Sequence, residues 1–137
     1  VELALQCRET WAVEREKTAL ALIEENRNKF GAWNLHIHAG KAPEALKDLP
    51  APDKVFIGGS GGCLREIVNV VSSANPKARV CISAIAVETL HTALTVLEEL
   101  GYETEVVQIS VSRARKAGEL HLLMAQNPVF LITGERP

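Results

Sequence analysis

Ala51-Pro-Asp-Lys-Val-Phe-Ile-Gly-Gly-Ser-Gly-Gly62 is the stretch whose reading decides the fold. Pro50 and Pro52 cannot donate to a central ladder, so Lys54 to Ile57 must start afresh after them as a short apolar strand. Gly58, Gly59, Gly61 and Gly62 then surround one hydroxyl, Ser60. A helical pattern begins only beyond them, with Leu64, Ile67, Val68 and Val71 at i, i+3, i+4 and i+7. Strand, glycine corner and helix make the βα turn of an open α/β sheet, a fold that binds ligands at the carboxyl ends of its strands. Without Cβ atoms the corner lets a ligand approach the backbone closely. A glycine run can also be a plain flexible turn, but its tight coupling to strand and helix favours a site.

Upstream, Glu2 to Gln6 reads as the tail of a helix, and Thr10 to Val13 as a strand that ends on Glu14. From Lys17 the pattern is helical, with Leu20, Ile23 and Phe30 on one face and Glu24, Glu25, Arg27 and Lys29 on another; Gly31 is its stop. Leu35 to His38 is the next strand, leading to Gly40 and a short helix from Pro43 to Leu46. Downstream, the helix after the glycine corner runs to about Ser73, Asn75-Pro76 breaks the chain, and Arg79 to Ile82 is a strand. Ala86, Leu90, Ala93, Leu94, Leu97 and Leu100 stripe one helix that Gly101 ends. Two strands, Glu105 to Ser110 and Val129 to Thr133, close the chain. Only a polar loop, Ser112 to Asn127, separates them, which predicts an antiparallel pair. The alternation of strands and helices predicts a mainly parallel sheet.

The chain has 137 residues, room for one domain with a core. A net charge of −2 argues against nucleic-acid binding. No apolar run is long enough to span a membrane, and the first residues do not form a secretory signal. Cys7, Cys63 and Cys81 are odd in number and widely spaced, indicating neither a disulfide framework nor a zinc site, and a reducing cytoplasm is the simplest location.

Glu14, at a strand's carboxyl end, is placed to accept hydrogen bonds from a ribose diol; a solvated charge at a helix start is the plainer alternative. Gly40 to Pro43 and the glycine corner end the next two strands, so three strand ends point to one crevice. His36 and His38 share a strand face and could form half a metal site, but no third ligand is near in sequence. Arg113, Arg115 and Lys116, with Ser110 and Ser112, make a basic, hydroxyl-bearing loop that suits either solvent or a carboxylate-rich ligand.

Several stretches together resemble the decarboxylating precorrin-6Y C5,15-methyltransferase family of cobalamin biosynthesis. They are Trp11-Ala-Val-Glu-Arg15, Asn26-Arg-Asn-Lys-Phe-Gly31, Gly40-Lys-Ala-Pro-Glu-Ala-Leu46, Leu49 to Gly62, Val87-Glu-Thr-Leu90 and Asn127-Pro-Val-Phe130. The similarity covers nearly the whole chain and points to the domain that methylates C15 and decarboxylates a side chain. The resemblance implies a Rossmann-like class I methyltransferase sheet, with helices on both faces, an antiparallel C-terminal hairpin and S-adenosyl-L-methionine as cofactor. It implies that Glu14 holds the cofactor ribose, that Lys41, Ala42 and Pro43 border the adenine, and that Gly58, Gly59, Ser60 and Gly61 lie beside the methionine part. Ser60, Gly61 and Gly62 would meet a tetrapyrrole (precorrin) substrate, and Arg113 and Arg115 its carboxylates. It also implies a homo-oligomer, a tetramer. No general base is assigned; Glu88 could handle a proton only if it faces the crevice, and otherwise sits at a helix start.

Family members carry a first strand and glycine-rich cofactor loop before the position of Val1, so residues 1–137 are expected to be a single domain truncated at its N-terminus, with weak or absent methyl transfer in isolation. Two other readings stay open: a class I methyltransferase on another small molecule, and a non-catalytic nucleotide-binding or assembly domain.

Overall fold

The computed structural model describes every residue, Val1–Pro137, in two compact units, Val1–Pro50 and Ala51–Pro137.

In the first unit, β1 (Thr10–Glu14) leads into α1 (Lys17–Phe30) and then β2 (Leu35–Ala39). The two strands pair in parallel, from Thr10 opposite Leu35 to Glu14 opposite Ala39. Gly31 ends α1 in the left-handed conformation, φ 63°, its N–H reaching the Arg27 and Asn28 carbonyls; this is the stop that the sequence predicts. The expected helix tail at Glu2–Gln6 is a 3-10 turn over Ala4–Gln6, and the short helix after Gly40 is likewise 3-10, Glu44–Leu46. Asn34 ties the N-terminal segment down: its amide donates to the carbonyls of Ala4 and Cys7, each at 2.7 Å. The core here is small, with Ala4, Ala32 and Leu35 buried and Val1, Ala12 and Ile23 packed around them. Phe30 does not join it as its helical spacing predicts. Its ring is more than half exposed, beside an apolar hollow lined also by Val1, Leu5, Ala12 and Ile23, because so small a core covers only part of the α1 face.

The second unit runs β3 (Lys54–Ile57), α2 (Leu64–Ala74), β4 (Arg79–Ala84), α3 (Val87–Glu99), β5 (Glu103–Ile109), β6 (Ser112–Ala117), β7 (Leu120–Ala125) and β8 (Val129–Glu135). Its main sheet has the order β3-β4-β8-β5, with β3 parallel to β4 and β8 antiparallel to both neighbours. Leu64, Ile67, Val68 and Val71 of α2 are all buried, as the periodicity requires. The α3 stripe is corrected at two positions: Ala86 is exposed ahead of the helix, and Val96 is buried with Ala93 and Leu97. These helices cover Val80, Ile82, Ala84 and Ile132. Leu97 of α3 packs directly on the sheet at Gly134, where a Cβ would stand 3.1 Å from a Leu97 methyl. Arg136 closes the end of the chain, donating to Ser72 Oγ at 2.9 Å and lying over the Tyr102 ring.

Two further expectations, about the strands, fail. Ser112 to Asn127 is not a loop: β6 and β7 form an antiparallel hairpin turning at Gly118, φ 61°. Its polar and apolar residues are all exposed, so no buried face imposes the alternation that marks a strand in sequence. Nor are the strands mainly parallel in one sheet. They form three sheets, β1-β2, β3-β4-β8-β5 and β6-β7, and β8 makes antiparallel pairs on both sides. The predicted antiparallel pairing of the last long strands does hold, between β5 and β8.

Candidate functional site

The carboxyl end of β3 is the glycine corner. Gly61 and Gly62 have φ of 56° and 87°, a region closed to most side chains, so the turn itself requires them. At Gly58 a Cβ would sit 3.3 Å from the Phe56 ring. Gly59 is different. It has no left-handed φ, and a Cβ there would meet nothing within 4 Å. The fold does not require glycine at this point, and the space beside its backbone is free. The corner is pinned from the next strand, because Ile57 lies opposite Ile82 and Ser83 Oγ donates to the Gly58 carbonyl at 3.3 Å. Sequence reading missed Ser83. Only the strand register, which places it beside Gly58, could have singled it out.

In the first unit, Glu14 and the Gly40 corner come together. The N–H of Gly40 donates to the Glu14 carbonyl at 2.9 Å. The Glu14 side chain folds onto its own turn, Oε1 accepting the N–H groups of Arg15 at 2.7 Å and Glu16 at 2.9 Å. Those two N–H groups, Glu16's first, favour the charged form and hold the carboxyl below its ordinary range. Oε2 remains as a free acceptor. A Cβ on Gly40 would come within 2.7 Å of Ala45 Cβ, so this glycine lets the 3-10 turn close on the strand end. Lys41 is exposed, Ala42 and Pro43 half-buried, with a cis Ala42–Pro43 peptide bond.

The remaining candidates lie elsewhere. Arg113 and Arg115 stand on β6, opposite Met124 and Leu122, in the hairpin rather than on a loop, and neither has an ion-pair partner among the five pairs that the chain forms. His36 is engaged, bonded to Glu9 Oε2 at 2.6 Å and stacked on Trp11. Glu88 lies exposed in the first turn of α3 without a side-chain capping bond. All three cysteines are free, and burial raises the Cys81 thiol pKa.

Residues 1–136 match a family model described as the precorrin methyltransferase domain. The chain belongs to that family. It is 34% identical over 140 residues to the cobalt-precorrin-6B C(15)-methyltransferase (decarboxylating) of Salmonella typhimurium, covering 99% of this chain and 72% of the relative. A crystal structure of precorrin-6Y C5,15-methyltransferase from Geobacter metallireducens superposes with a TM-score of 0.85 at 37% identity, over 93% of this chain and 68% of that one. The precorrin 8W decarboxylase structure from Methanobacterium thermoautotrophicum gives a TM-score of 0.89 at 32% identity, over 97% and 73%.

For a precorrin methyltransferase domain the fold is accordingly that of the class I methyltransferases, as the resemblance implies. No helix is long and apolar enough to cross a membrane.

Proposed function

We propose that the protein methylates C15 and decarboxylates the acetate side chain of a precorrin or cobalt-precorrin intermediate of cobalamin biosynthesis, using S-adenosylmethionine in a reducing cytoplasm. Family membership supports the reaction class. Within the molecule, the observation that carries the reading is Gly59, a glycine with free space beside it and no conformational need to be glycine. The free Glu14 Oε2 fits a ribose diol, which offers hydroxyl donors to a carboxylate already held charged by backbone N–H groups.

When bound, S-adenosylmethionine supplies a methyl group already activated as a sulfonium. The residues of this chain therefore have to hold and align rather than to remove a proton. In this reading Glu14 holds the ribose, and Lys41, Ala42 and Pro43 border the adenine. Gly58, Gly59, Ser60 and Gly61 flank the methionine part. Ser60, Gly61 and Gly62 meet the tetrapyrrole, and the unpaired Arg113 and Arg115 meet its carboxylates. In the decarboxylation the bond to the carboxylate breaks, carbon dioxide leaves, the electron pair enters the conjugated ring, and a proton from solvent then completes the methyl group left on the ring. That step also needs positioning more than a basic residue.

The hairpin supports a homo-oligomer, a tetramer in this reading. Leu120, Leu122 and Met124 alternate along β7 and so share one face, and every residue of both strands is exposed. An isolated two-stranded hairpin is marginal in water. Sedimentation of the protein with and without Leu122→Lys tests this: loss of the larger species is expected, and a monomer before substitution refutes it.

The test of function is calorimetric titration of S-adenosylhomocysteine into this chain and into the longest form that its gene encodes. Binding supports the methyltransferase reading; no binding by either sinks it in favour of a domain that shares only the fold.

A further inference from the structure

The join between β4 and α3 carries Ile85 and Val87, which are 72% and 74% exposed. Single exposed aliphatic residues are ordinary, but these two are paired. Ala86 between them is extended, φ −104° and ψ 143°, and the pair flanks the bend by which the chain leaves β4 and enters α3. Neither serves the core, which α3 fills with Ala93, Val96 and Leu97.

Their position is the second observation. β3 and β4 are parallel and in register, so the glycine corner and the Ile85–Val87 segment leave the sheet at the same edge. The Ser83 hydroxyl, two residues before Ile85, joins the strands by its bond to the Gly58 carbonyl. One side of this edge is bare glycine backbone with open space at Gly59, and the other is a pair of aliphatic side chains. Both are β-branched, with few rotamers to lose when something rests on them. A hydrated sugar or a phosphate gains nothing from such a surface. A flat conjugated ring with apolar faces and a polar rim does.

We infer that Ile85 and Val87 are the apolar rest for the face of the tetrapyrrole, setting substrate affinity and leaving the methyl donor's affinity alone. This rests on the functional reading above and deepens it, and neither residue is assigned to the substrate by the family resemblance.

The test uses the double variant Ile85→Ser/Val87→Ser with uroporphyrin III, an octacarboxylic porphyrin, as the probe. Probe affinity is read by fluorescence quenching, S-adenosylhomocysteine affinity by calorimetry, and folding by thermal unfolding. Because both side chains are exposed, the melting temperature should hold within a few degrees. The expected result is about tenfold or greater weakening for the probe, with less than about twofold change for S-adenosylhomocysteine. The conservative pair Ile85→Leu/Val87→Ile should retain probe affinity. Unchanged probe affinity in the serine variant overturns the inference, and so does an equal loss for both ligands. If the unmodified protein binds S-adenosylhomocysteine but not the probe, the tetrapyrrole reading fails and takes this inference with it.

Discussion

The corners after β2 and β3 both follow a short strand of a parallel pair, both contain glycine, and they use it for opposite reasons. At Gly40 the chain itself fills the space: the 3-10 turn returns so closely that a Cβ would overlap Ala45 at 2.7 Å. At Gly59 nothing in the chain comes within 4 Å of that position. One glycine answers a packing demand from within the protein, and the other leaves room for something outside it. The same residue type therefore answers close packing in one place and borders open space in the other, and only the neighbouring atoms tell them apart.

Substituting the two glycines is the sharpest way to break the comparison. Gly40→Ala should cost about 1–3 kcal/mol, since Ala45 Cβ has no rotamer with which to move aside and the turn must shift. Urea unfolding measures it, and a neutral result would mean that the turn is loose. Gly59→Val should do the reverse, leaving the unfolding midpoint nearly unchanged while weakening S-adenosylhomocysteine or tetrapyrrole binding about tenfold, roughly 1.4 kcal/mol. If affinity survives, the open space is not a binding space.

Ser83→Ala probes how firmly the β3 corner is held. The bond to the Gly58 carbonyl is long, 3.3 Å, and exposed, so its loss should cost less than about 1 kcal/mol of stability. Any larger effect should fall on ligand affinity, through a displaced corner. Glu14 gives the smallest expected effect. Its carboxyl is lowered by the N–H groups of Glu16 and Arg15. The contribution is therefore complete above the ordinary carboxylate range and is lost as pH falls through the lowered folded value. The melting temperature of Glu14→Gln should then show a flatter acid limb than the unmodified protein between about pH 7 and pH 3. Parallel curves would mean that the turn bonds do not depend on the charge.

Much of this was readable from residues alone where a local rule had one outcome. Gly31 and Gly101 follow helical stripes, and both adopt the left-handed conformation, φ 63° and 74°, that ends a helix. Leu64, Ile67, Val68 and Val71 fall on one helical face, and all four are buried. The hairpin β6-β7 escaped because its pairing owes nothing to a buried face. Within the candidate site, the glycine corner could be marked in advance, but Ser83, Ile85 and Val87 could not. Nothing in Ser-Ala-Ile-Ala-Val distinguishes a strand end from a core strand until the register sets it beside Gly58.

Residue order alone set where α1 and α3 stop, which face of α2 turns inward, and that a strand meets a glycine corner at Gly58. These follow from periodicity, from proline's missing donor and from glycine's access to positive φ, all properties of residues close in the chain. Tertiary structure alone decided that β8 lies between β4 and β5, that Gly134 admits Leu97, and that Gly59 faces open space while Gly40 does not. Each of these depends on atoms far apart in sequence meeting or failing to meet, and no local pattern encodes that distance.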